Sequence, residues 1–358
     1  CLMAVMIYTK KDNHWYYIAG GISVGLAIGS KYTAFPSYLP ILIAHYCSAR
    51  QDNHWISKKL VISLLAVPIT FIMTTPYAIL DMDTFFNYIL FQNNAYTNHP
   101  GATSTTNYSL IDYIKYLVFD GYGVIPTAFA LSGSIALFFK SKSKLLLILC
   151  FPVVLILFLG RYPVFFERNV VPLVPFISLL SGYFINQSAE FIQNKLIMLG
   201  SLSGSLSHIK IAVAASAAAI IYVSLHNQIQ IDLKLLRENS LPDTRWVSLK
   251  WIHENIPYGA SIGREYYTPP IEEYSNRFKV APFGHFGIAK NYNYLFLMDY
   301  VVASDADYGR FISNSKQYPS EAQAYTDFFA IHERIKEFNG DGKALSGPKI
   351  GIYRIKKP

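Results

Sequence analysis

The sequence predicts an α-helical polytopic membrane domain with about seven complete transmembrane helices plus a truncated one, followed by a small α/β extracytoplasmic domain. The 358 residues are 52% hydrophobic and only 15% charged. Long windows carry no Asp, Glu, Lys or Arg, whereas charges become frequent and strand and helix patterns alternate after residue 231. This composition disfavours a single soluble globular domain. We therefore predict a transmembrane domain over 1–231 and a soluble domain over 232–358.

The first residues indicate a helix that is cut short. "CLMAVMIYTKK" provides only about nine apolar residues before Lys10 and Lys11, too few to cross roughly 30 Å of hydrocarbon. The small-residue pattern of a signal-peptide cleavage site is missing. We interpret the stretch as the end of a truncated helix and expect further protein upstream of Cys1.

Seven uncharged windows then have about the length of a transmembrane helix, although the fifth is short. They are 13–30, 32–49, 60–80, 121–139, 145–160, 169–189 and 211–231.

The basic residues between these windows predict the orientation. Four of them fall in loops on one side: Lys31, Lys115, Arg161 and Arg168. Ten fall on the other side: Lys10, Lys11, Arg50, Lys58, Lys59, Lys140, Lys142, Lys144, Lys195 and Lys210. By the positive-inside rule the side with ten is cytoplasmic, and seven crossings then place the C-terminal domain outside.

The predicted outer side begins with a long polar and aromatic loop after Leu80. Its segments "FFNYILFQ" and "YSLIDYIKYLVF" have apolar residues at near-helical spacing, which indicates short helices at the membrane surface. A plain connecting loop is the alternative. Asp81 and Asp83 head this loop as helix caps or as carboxylates on the acceptor side of a site, and capping is favoured.

Three basic residues occupy the short outer turns. Lys31 lies at a Gly-Ser break in "GLAIGSKYTAF", and Arg161 and Arg168 lie in "RYPVFFERNVVPLVPF". Guanidinium and ammonium groups suit phosphate oxygens, and this interaction strengthens away from bulk water. The sequence thus predicts a site for the phosphate ester of a membrane lipid. The alternative is that each side chain reaches its own headgroup phosphate.

Residues beside this cluster are predicted to support it. Glu167 would orient an arginine or balance the positive charge, and Tyr162 and Tyr32 adjoin Arg161 and Lys31 in sequence. A transporter normally keeps its site near the middle of the membrane on broken helices. The centres of the windows hold no ionisable residue, so an enzyme with a site at the outer face is favoured.

The C-terminal domain shows helix and strand patterns but no dependable catalytic constellation. Helices are predicted over 243–257 and from Pro319 to the "NGDG" stretch, the latter with a Ser320/Gln323 capping box. Strands are predicted at "SIGRE", "YLFLMDYVVASD" and "PKIGIYRI". Glu265, in "GREYYTPPIEEY", is a residue for the acceptor side of the site, although a surface loop is favoured. No histidine or cysteine spacing predicts a metal site.

Several stretches together resemble the polytopic GT-C glycosyltransferases of bacteria and archaea. They are "GLAIGSKYTAF", "TTPYAILDMDTFFNYILFQ", "RYPVFFERNVVPLVPFISLLSG", "WIHENIPYGASI", "DYVVASDADYGRF" and "SGPKIGIYRI". This clan includes the protein O-mannosyltransferases and the aminoarabinose transferase of lipid A. The resemblance follows nearly the whole chain in order, and each stretch alone is weak.

The resemblance implies a function. Such enzymes move a sugar from a polyprenyl-phosphate carrier to a lipid, glycan or protein acceptor at the outer face of the cytoplasmic membrane. It assigns to Arg168 a role in holding the carrier phosphate, to which the topology adds Lys31 and Arg161. It also implies that the catalytic acid lies in an outer loop upstream of Cys1, so the chain as given is expected to be inactive alone.

Other functions stay open at this stage. A flippase or another lipid or sugar-lipid transporter is the first alternative, and a non-catalytic envelope protein is the second. No cofactor is predicted with certainty, and a divalent metal would be compatible with the function. The net charge of +8 is concentrated beside apolar windows, so nucleic acid is not an expected partner.

Overall fold

The computed structural model describes residues 2–9, 13–49, 56–97, 108–198, 206–274, 276–284, 287–290 and 292–357. They divide into two compact units, Cys1–Gln228 and Ile229–Pro358. Lys10, Lys11 and Arg50, which contribute to the predicted orientation, lie outside the described residues.

The first unit is helical. Its helices are α1 (Leu2–Thr9), α2 (His14–Ser30), α3 (Leu39–Ala49), α4 (Lys58–Thr74), α5 (Tyr77–Leu80), α6 (Met82–Thr97), α7 (Leu110–Lys115), α8 (Val124–Lys140), α9 (Lys142–Gly160) and α10 (Val174–Met198). Helix α11 (Leu206–Asn239) runs across the boundary between the units. Short 3-10 turns cover Tyr32–Tyr38, Glu167–Asn169 and Val171–Leu173, and a π-helical turn covers Tyr116–Gly121.

Two segments of the described chain are long and apolar enough to cross a membrane. They are Lys142–Gly160 and Glu167–Lys195, which contain the predicted spans 145–160 and 169–189. A third results if Leu110–Gly121 and Val124–Lys140, which meet at a bend of 115°, form one broken span. The expectation of seven complete spans is therefore not supported.

The predicted number was too high because an uncharged stretch need not be one continuous helix. Helices α2 and α4 have 17 residues each, or about 25 Å at 1.5 Å per residue, less than the roughly 30 Å of a bilayer core. The window 32–49 begins as the 3-10 turn Tyr32–Tyr38, which contains Pro36, and leaves only 11 residues for α3. The window 211–231 differs, because it lies inside the continuous helix α11, which is nevertheless not among the candidate spans.

Glycines allow α2 and α4 to pack with their backbones close together. A Cβ atom on Gly21 would overlap the Ser63 carbonyl oxygen, and one on Gly25 would lie 2.6 Å from the Val67 carbonyl oxygen. Gly29 faces the Thr74 side chain in the same way. A spacing of four residues places these glycines on one helix face, the pattern that permits close helix crossings in membranes. This contact fixes the C-terminal end of α2, where Lys31 follows.

The second unit contains a five-stranded mixed sheet with helices on both faces. Its strands are β1 (Ser261–Glu265), β2 (Lys279–Gly284), β3 (Tyr300–Ser304), β4 (Glu333–Phe338) and β5 (Ile350–Arg354). Their order is β2-β1-β3-β5-β4, with β2, β1 and β3 parallel and the pairs β3/β5 and β5/β4 antiparallel. The helices are α12 (Thr244–Asn255), α13 (Gly287–Lys290), α14 (Tyr292–Leu295), α15 (Asp305–Ser313) and α16 (Pro319–Ile331). A 3-10 turn covers Ile271–Tyr274.

Alternating side chains of the strands divide the core of this unit into two layers. Val302 and Ile352 pack with Ile252 of α12 on one face of the sheet. Val301 packs with Phe328 of α16 on the other face. Because successive strand residues point to opposite faces, a strand buried on both sides has few polar positions. The predicted α/β fold is confirmed, as are its strands at "SIGRE" and "PKIGIYRI". The predicted strand "YLFLMDYVVASD" is too long, because only Tyr300–Ser304 forms β3 and its first two residues belong to α14.

One predicted element of this unit is wrong. The helix that begins at Pro319 ends at Ile331, and Glu333–Phe338 forms β4. The backbone of β4 pairs with β5, so tertiary pairing outweighs the helical spacing of the apolar residues there. The predicted capping box is also wrong, because Pro319 is the first helical residue and the Ser320 hydroxyl donates to the Glu321 carboxylate.

A glycine substitution tests the close contact of α2 and α4. Gly25→Ala should lower the free energy of unfolding by about 1–3 kcal/mol, because the added methyl group overlaps the backbone of α4. Gly182→Ala is the matched control, since nothing lies within 4 Å of a Cβ atom at that position. Thermal unfolding in detergent measures both variants. An equal loss of stability in both would contradict the close contact.

Candidate functional site

A cavity of about 380 Å³ lies in the first unit, between the end of α2, one face of α6 and the end of α9. Its lining mixes aromatic rings, side-chain amides and one ammonium group. The lining residues are Gly29, Ser30, Lys31, Tyr32, Thr33, Tyr88, Ile89, Gln92, Asn93, Tyr96, Phe158, Leu159 and Tyr162. The structure thus brings the predicted residues Lys31, Tyr32 and Tyr162 to one cavity.

A buried amide holds Lys31 in place. The Lys31 ammonium donates a hydrogen bond of 2.8 Å to Oδ1 of Asn169, which is 1% exposed. The Tyr96 hydroxyl donates to the same oxygen at 3.2 Å. On its other side, Nδ2 of Asn169 donates to the Tyr113 hydroxyl at 3.2 Å. Asn169 therefore connects the ends of α2 and α6 to α7 through one side chain.

Lys31 is also placed in a positive environment. Partial burial lowers the pKa of the Lys31 ammonium, and the nearby charge of Arg168 lowers it further. Both causes disfavour the charged form of the lysine. A bound anion would offset both, because its negative charge stabilises the ammonium form of Lys31. This electrostatic setting favours an anionic ligand beside Lys31.

Tyr162 connects Arg161 to the cavity. Nη2 of Arg161 donates to the Tyr162 hydroxyl at 2.8 Å, and this hydroxyl donates to Oδ1 of Asn93 at 3.0 Å. The Arg161 guanidinium lies over the rings of Phe158 and Tyr162, at 4.4 and 4.8 Å from their centroids. Stacking on aromatic rings keeps a guanidinium in a defined place without an ion pair.

The second predicted arginine and its neighbour lie outside the lining. Arg168 is exposed, with its guanidinium 4.8 Å from the centroid of the Phe166 ring. Glu167 is exposed in the 3-10 turn Glu167–Asn169. Arg168 affects the site in two ways. Its charge lowers the pKa of Lys31, and the residue that follows it, Asn169, accepts the hydrogen bond from Lys31.

Asp81 and Asp83 head α6 and do not line the cavity. Oδ1 of Asp81 accepts a hydrogen bond of 3.2 Å from the backbone N–H of Thr84, which is the geometry of a helix cap. Asp83 is exposed in the first turn of α6, where a carboxylate interacts favourably with the helix dipole. The favoured interpretation of Asp81 as a cap is confirmed.

The sequence analysis missed the amides of this site. Tyr88, Gln92 and Tyr96 are spaced four residues apart in α6, which places them on one helix face toward the cavity. The sequence alone could have indicated this face, because an amide between two tyrosines at helical spacing is not typical of an apolar packing face. Asn169 gave no such signal, because only the fold brings it to Lys31 across 138 positions of sequence.

The lining defines what the cavity can bind. Amides and hydroxyls donate and accept hydrogen bonds, as sugar hydroxyls require, and the ammonium of Lys31 attracts a phosphate. The aromatic rings give flat apolar surfaces. None of the described lining residues has a carboxylate side chain. Within the described residues there is also no group of three or more His, Cys, Asp or Glu side chains that could hold a metal ion.

Glu265 belongs to the second unit and lies in its interior. The side chain is fully buried at the end of β1, contrary to the favoured surface loop. Oε1 accepts hydrogen bonds from the Tyr325 hydroxyl at 2.5 Å and from the backbone N–H of Ile288 at 3.3 Å, and Oε2 accepts one from the Ser304 N–H at 3.4 Å. These contacts join β1 to β3, α13 and α16.

Burial controls the ionisation of Glu265. Removal from water raises the pKa of its carboxyl group to about 8, and the buried Asp307 carboxylate contributes in the same direction. The strand order explains why Glu265 occupies this position. In the sheet, β2 lies on one side of β1 and β3 on the other, so the connections to these two strands diverge at the end of β1. Ligands of open α/β sheets bind where such connections diverge, and here that point is closed by Tyr325 and by the backbone at Ile288.

Comparisons with models of known protein families, with curated proteins and with solved structures give no match.

Removing the central amide tests the network around Lys31. Asn169→Ala should lower the free energy of unfolding by about 1–3 kcal/mol, because it removes partners of Lys31, Tyr96 and the buried Tyr113 hydroxyl. Asn186→Ala removes an exposed amide that bonds Glu190 and is the control. Thermal unfolding of both variants provides the measurement. If they lose the same stability, Asn169 does not have this central role.

The stability of the second unit should fall between pH 6.5 and 8 because of Glu265. In this range the unfolded chain has released the Glu265 proton, whereas the folded chain retains it up to a pKa of about 8. The expected slope is about 1.4 kcal/mol per pH unit or less. His332 has the opposite effect on stability. Burial lowers its pKa, so below its usual pKa of about 6.5 the unfolded chain binds a proton that the folded chain has released, and stability rises with pH.

The fluorescence of Trp246 and Trp251 reports on this unit in a Trp15→Phe, Trp55→Phe background of the full chain. Urea unfolding at several pH values should show the slope, and Glu265→Gln should flatten it. Glu254→Gln, at an exposed position of α12, should leave it unchanged. A slope that survives Glu265→Gln would assign the effect to another group.

Proposed function

We propose that the chain carries the carrier-lipid site of a membrane glycosyltransferase that uses a polyprenyl-phosphate sugar as its donor. The observation that carries this proposal is the cavity in which Lys31 lies beside amides and tyrosines, next to Arg161 and Arg168. The phosphate would interact with Lys31 and receive further positive potential from the two arginines. The sugar would contact Gln92, Asn93 and the aromatic rings.

The position of the cavity supports a lipid-linked ligand. Phe158 and Leu159, at the end of an apolar helix that is long enough to cross a membrane, form part of its wall. A carrier chain could then remain in the lipid while its phosphate reaches Lys31. In the proposed orientation the cavity opens on the outer face of the cytoplasmic membrane, consistent with the distribution of basic residues in the sequence.

The proposed reaction is a glycosyl transfer. The acceptor hydroxyl oxygen forms a bond to the anomeric carbon of the sugar, and the bond from that carbon to the phosphate oxygen breaks. The electron pair stays on the lipid phosphate, where Lys31 and the arginines stabilise the added charge. The acceptor proton requires a base, and no described residue of the cavity lining is a carboxylate. The residues of the site therefore act on the leaving group.

Substitution of Lys31 tests the proposed phosphate contact. Lys31→Met keeps an unbranched side chain of nearly the same length and removes its charge, so binding of undecaprenyl phosphate should weaken by about 1.5–3 kcal/mol, or roughly 10- to 150-fold. Equilibrium binding to the full chain in detergent measures this effect. Lys58→Met, outside the cavity at the start of α4, is the control.

Undecaprenol, which lacks the phosphate, separates headgroup recognition from insertion of the chain. If the wild-type protein binds the alcohol as tightly as the phosphate, or if Lys31→Met binds as tightly as wild type, the proposed site is wrong. A lipid-linked radiolabelled sugar separates the classes of function. Movement of this lipid across liposomes without a glycosylated product would favour the transporter.

A further inference from the structure

We propose that a second cavity of the first unit binds the headgroup and upper acyl chain of an anionic phospholipid. This cavity lies between the end of α8, the start of α9 and the first half of α10. It has a volume of about 300 Å³. Its lining residues are Leu137, Lys140, Ser141, Lys144, Ile148, Leu179, Leu180 and Tyr183.

The polar end of the cavity is positive. Lys140 and Lys144 both line it and both are exposed, so their ammonium groups are accessible to a phosphate group. Among its described residues the lining has no carboxylate to balance them. Ser141 precedes the first turn of α9, and its side chain does not cap that turn. The N–H groups and dipole of the helix start therefore add to the attraction for an anion.

The other end of the cavity is apolar. Leu137, Ile148, Leu179 and Leu180 form its wall, and Leu137 and Leu180 belong to a buried cluster between α8 and α10. Within this wall, the Tyr183 hydroxyl is buried and finds no hydrogen-bond partner among the described residues. A buried hydroxyl without a partner is costly, and an ester or phosphate oxygen of a lipid would satisfy it.

This combination favours a lipid over a soluble anion. A soluble phosphate has no apolar group to pack against the apolar wall. A phospholipid has its charged headgroup and its acyl chain next to each other, as the cavity requires. The volume suits a headgroup with the first part of one chain. Two lysines favour an anionic headgroup, because a zwitterionic lipid carries a cation that they repel. Of the two segments that are apolar enough to cross a membrane, one is α9 itself and the other, Glu167–Lys195, includes most of α10.

The second cavity is separate from the carrier site. Its residues on α9 lie in the first turns, at Lys144 and Ile148, whereas the carrier cavity contacts the last turn at Phe158 and Leu159. The 19 residues of α9 extend over about 28 Å at 1.5 Å per residue. The two cavities therefore lie near opposite ends of one helix, and their ligands should not compete.

Binding of phosphatidylglycerol to the full chain in detergent tests the proposal. We expect phosphatidylglycerol to bind more tightly than phosphatidylcholine or glycerol 3-phosphate, and excess undecaprenyl phosphate should not displace it. Lys140→Gln with Lys144→Gln should weaken this binding by on the order of tenfold or more. Tyr183→Phe retains the ring and should weaken it by a smaller factor.

The matched control is Lys58→Gln with Lys59→Gln, which removes two lysines from the start of α4, outside this cavity. Circular dichroism and gel filtration establish that each variant is folded. Equal weakening in the control pair would mean general attraction to positive charge and would overturn the proposal. Equal affinity for phosphatidylcholine, or equal affinity for glycerol 3-phosphate, would overturn it as well. Loss of undecaprenyl phosphate binding in Lys31→Met does not bear on these outcomes.

Discussion

The buried amide of Asn169 is the interaction on which the geometry of the first unit's site depends. Its oxygen accepts from Lys31 and Tyr96, and its nitrogen donates to Tyr113. An amide suits this position because it accepts and donates at the same time, which neither a carboxylate nor an alcohol of its size does in the same geometry. Since the three partners lie at the end of α2, in α6 and in α7, one side chain links these three helices.

Close helix packing supplies the frame around this amide. Gly21 and Gly25 bring α2 against the backbone of α4, and Gly133 brings α8 against the Leu180 carbonyl of α10. Burial of apolar side chains alone does not select one arrangement of such helices in a membrane, because these side chains contact lipid as favourably as they contact another helix. Small residues and a few polar bonds therefore select it. The proposed ligands occupy the gaps that these contacts leave at helix ends.

The two units use ionisable groups differently. In the first unit, Lys31 lies at the edge of an open cavity, where burial and Arg168 lower its pKa and a bound anion would stabilise its charged form. In the second unit, Glu265 is enclosed by Tyr325 and by backbone N–H groups of β3 and α13. The first arrangement suits binding, whereas the second joins elements of a core. A perturbed pKa thus indicates function only when the group is accessible to a ligand.

The sequence by itself determined the apolar character of the first unit, the α/β class of the second unit, the cap at Asp81 and a basic cluster that includes Lys31. These follow from composition and local spacing, which act over a few residues. Only the tertiary structure decided how many apolar stretches are long helices, that β4 replaces the end of a predicted helix, and that Glu265 is buried. It also decided which residues join Lys31. The amide of Asn169 lies 138 positions away, and no local pattern encodes a contact that depends on how separate helices pack.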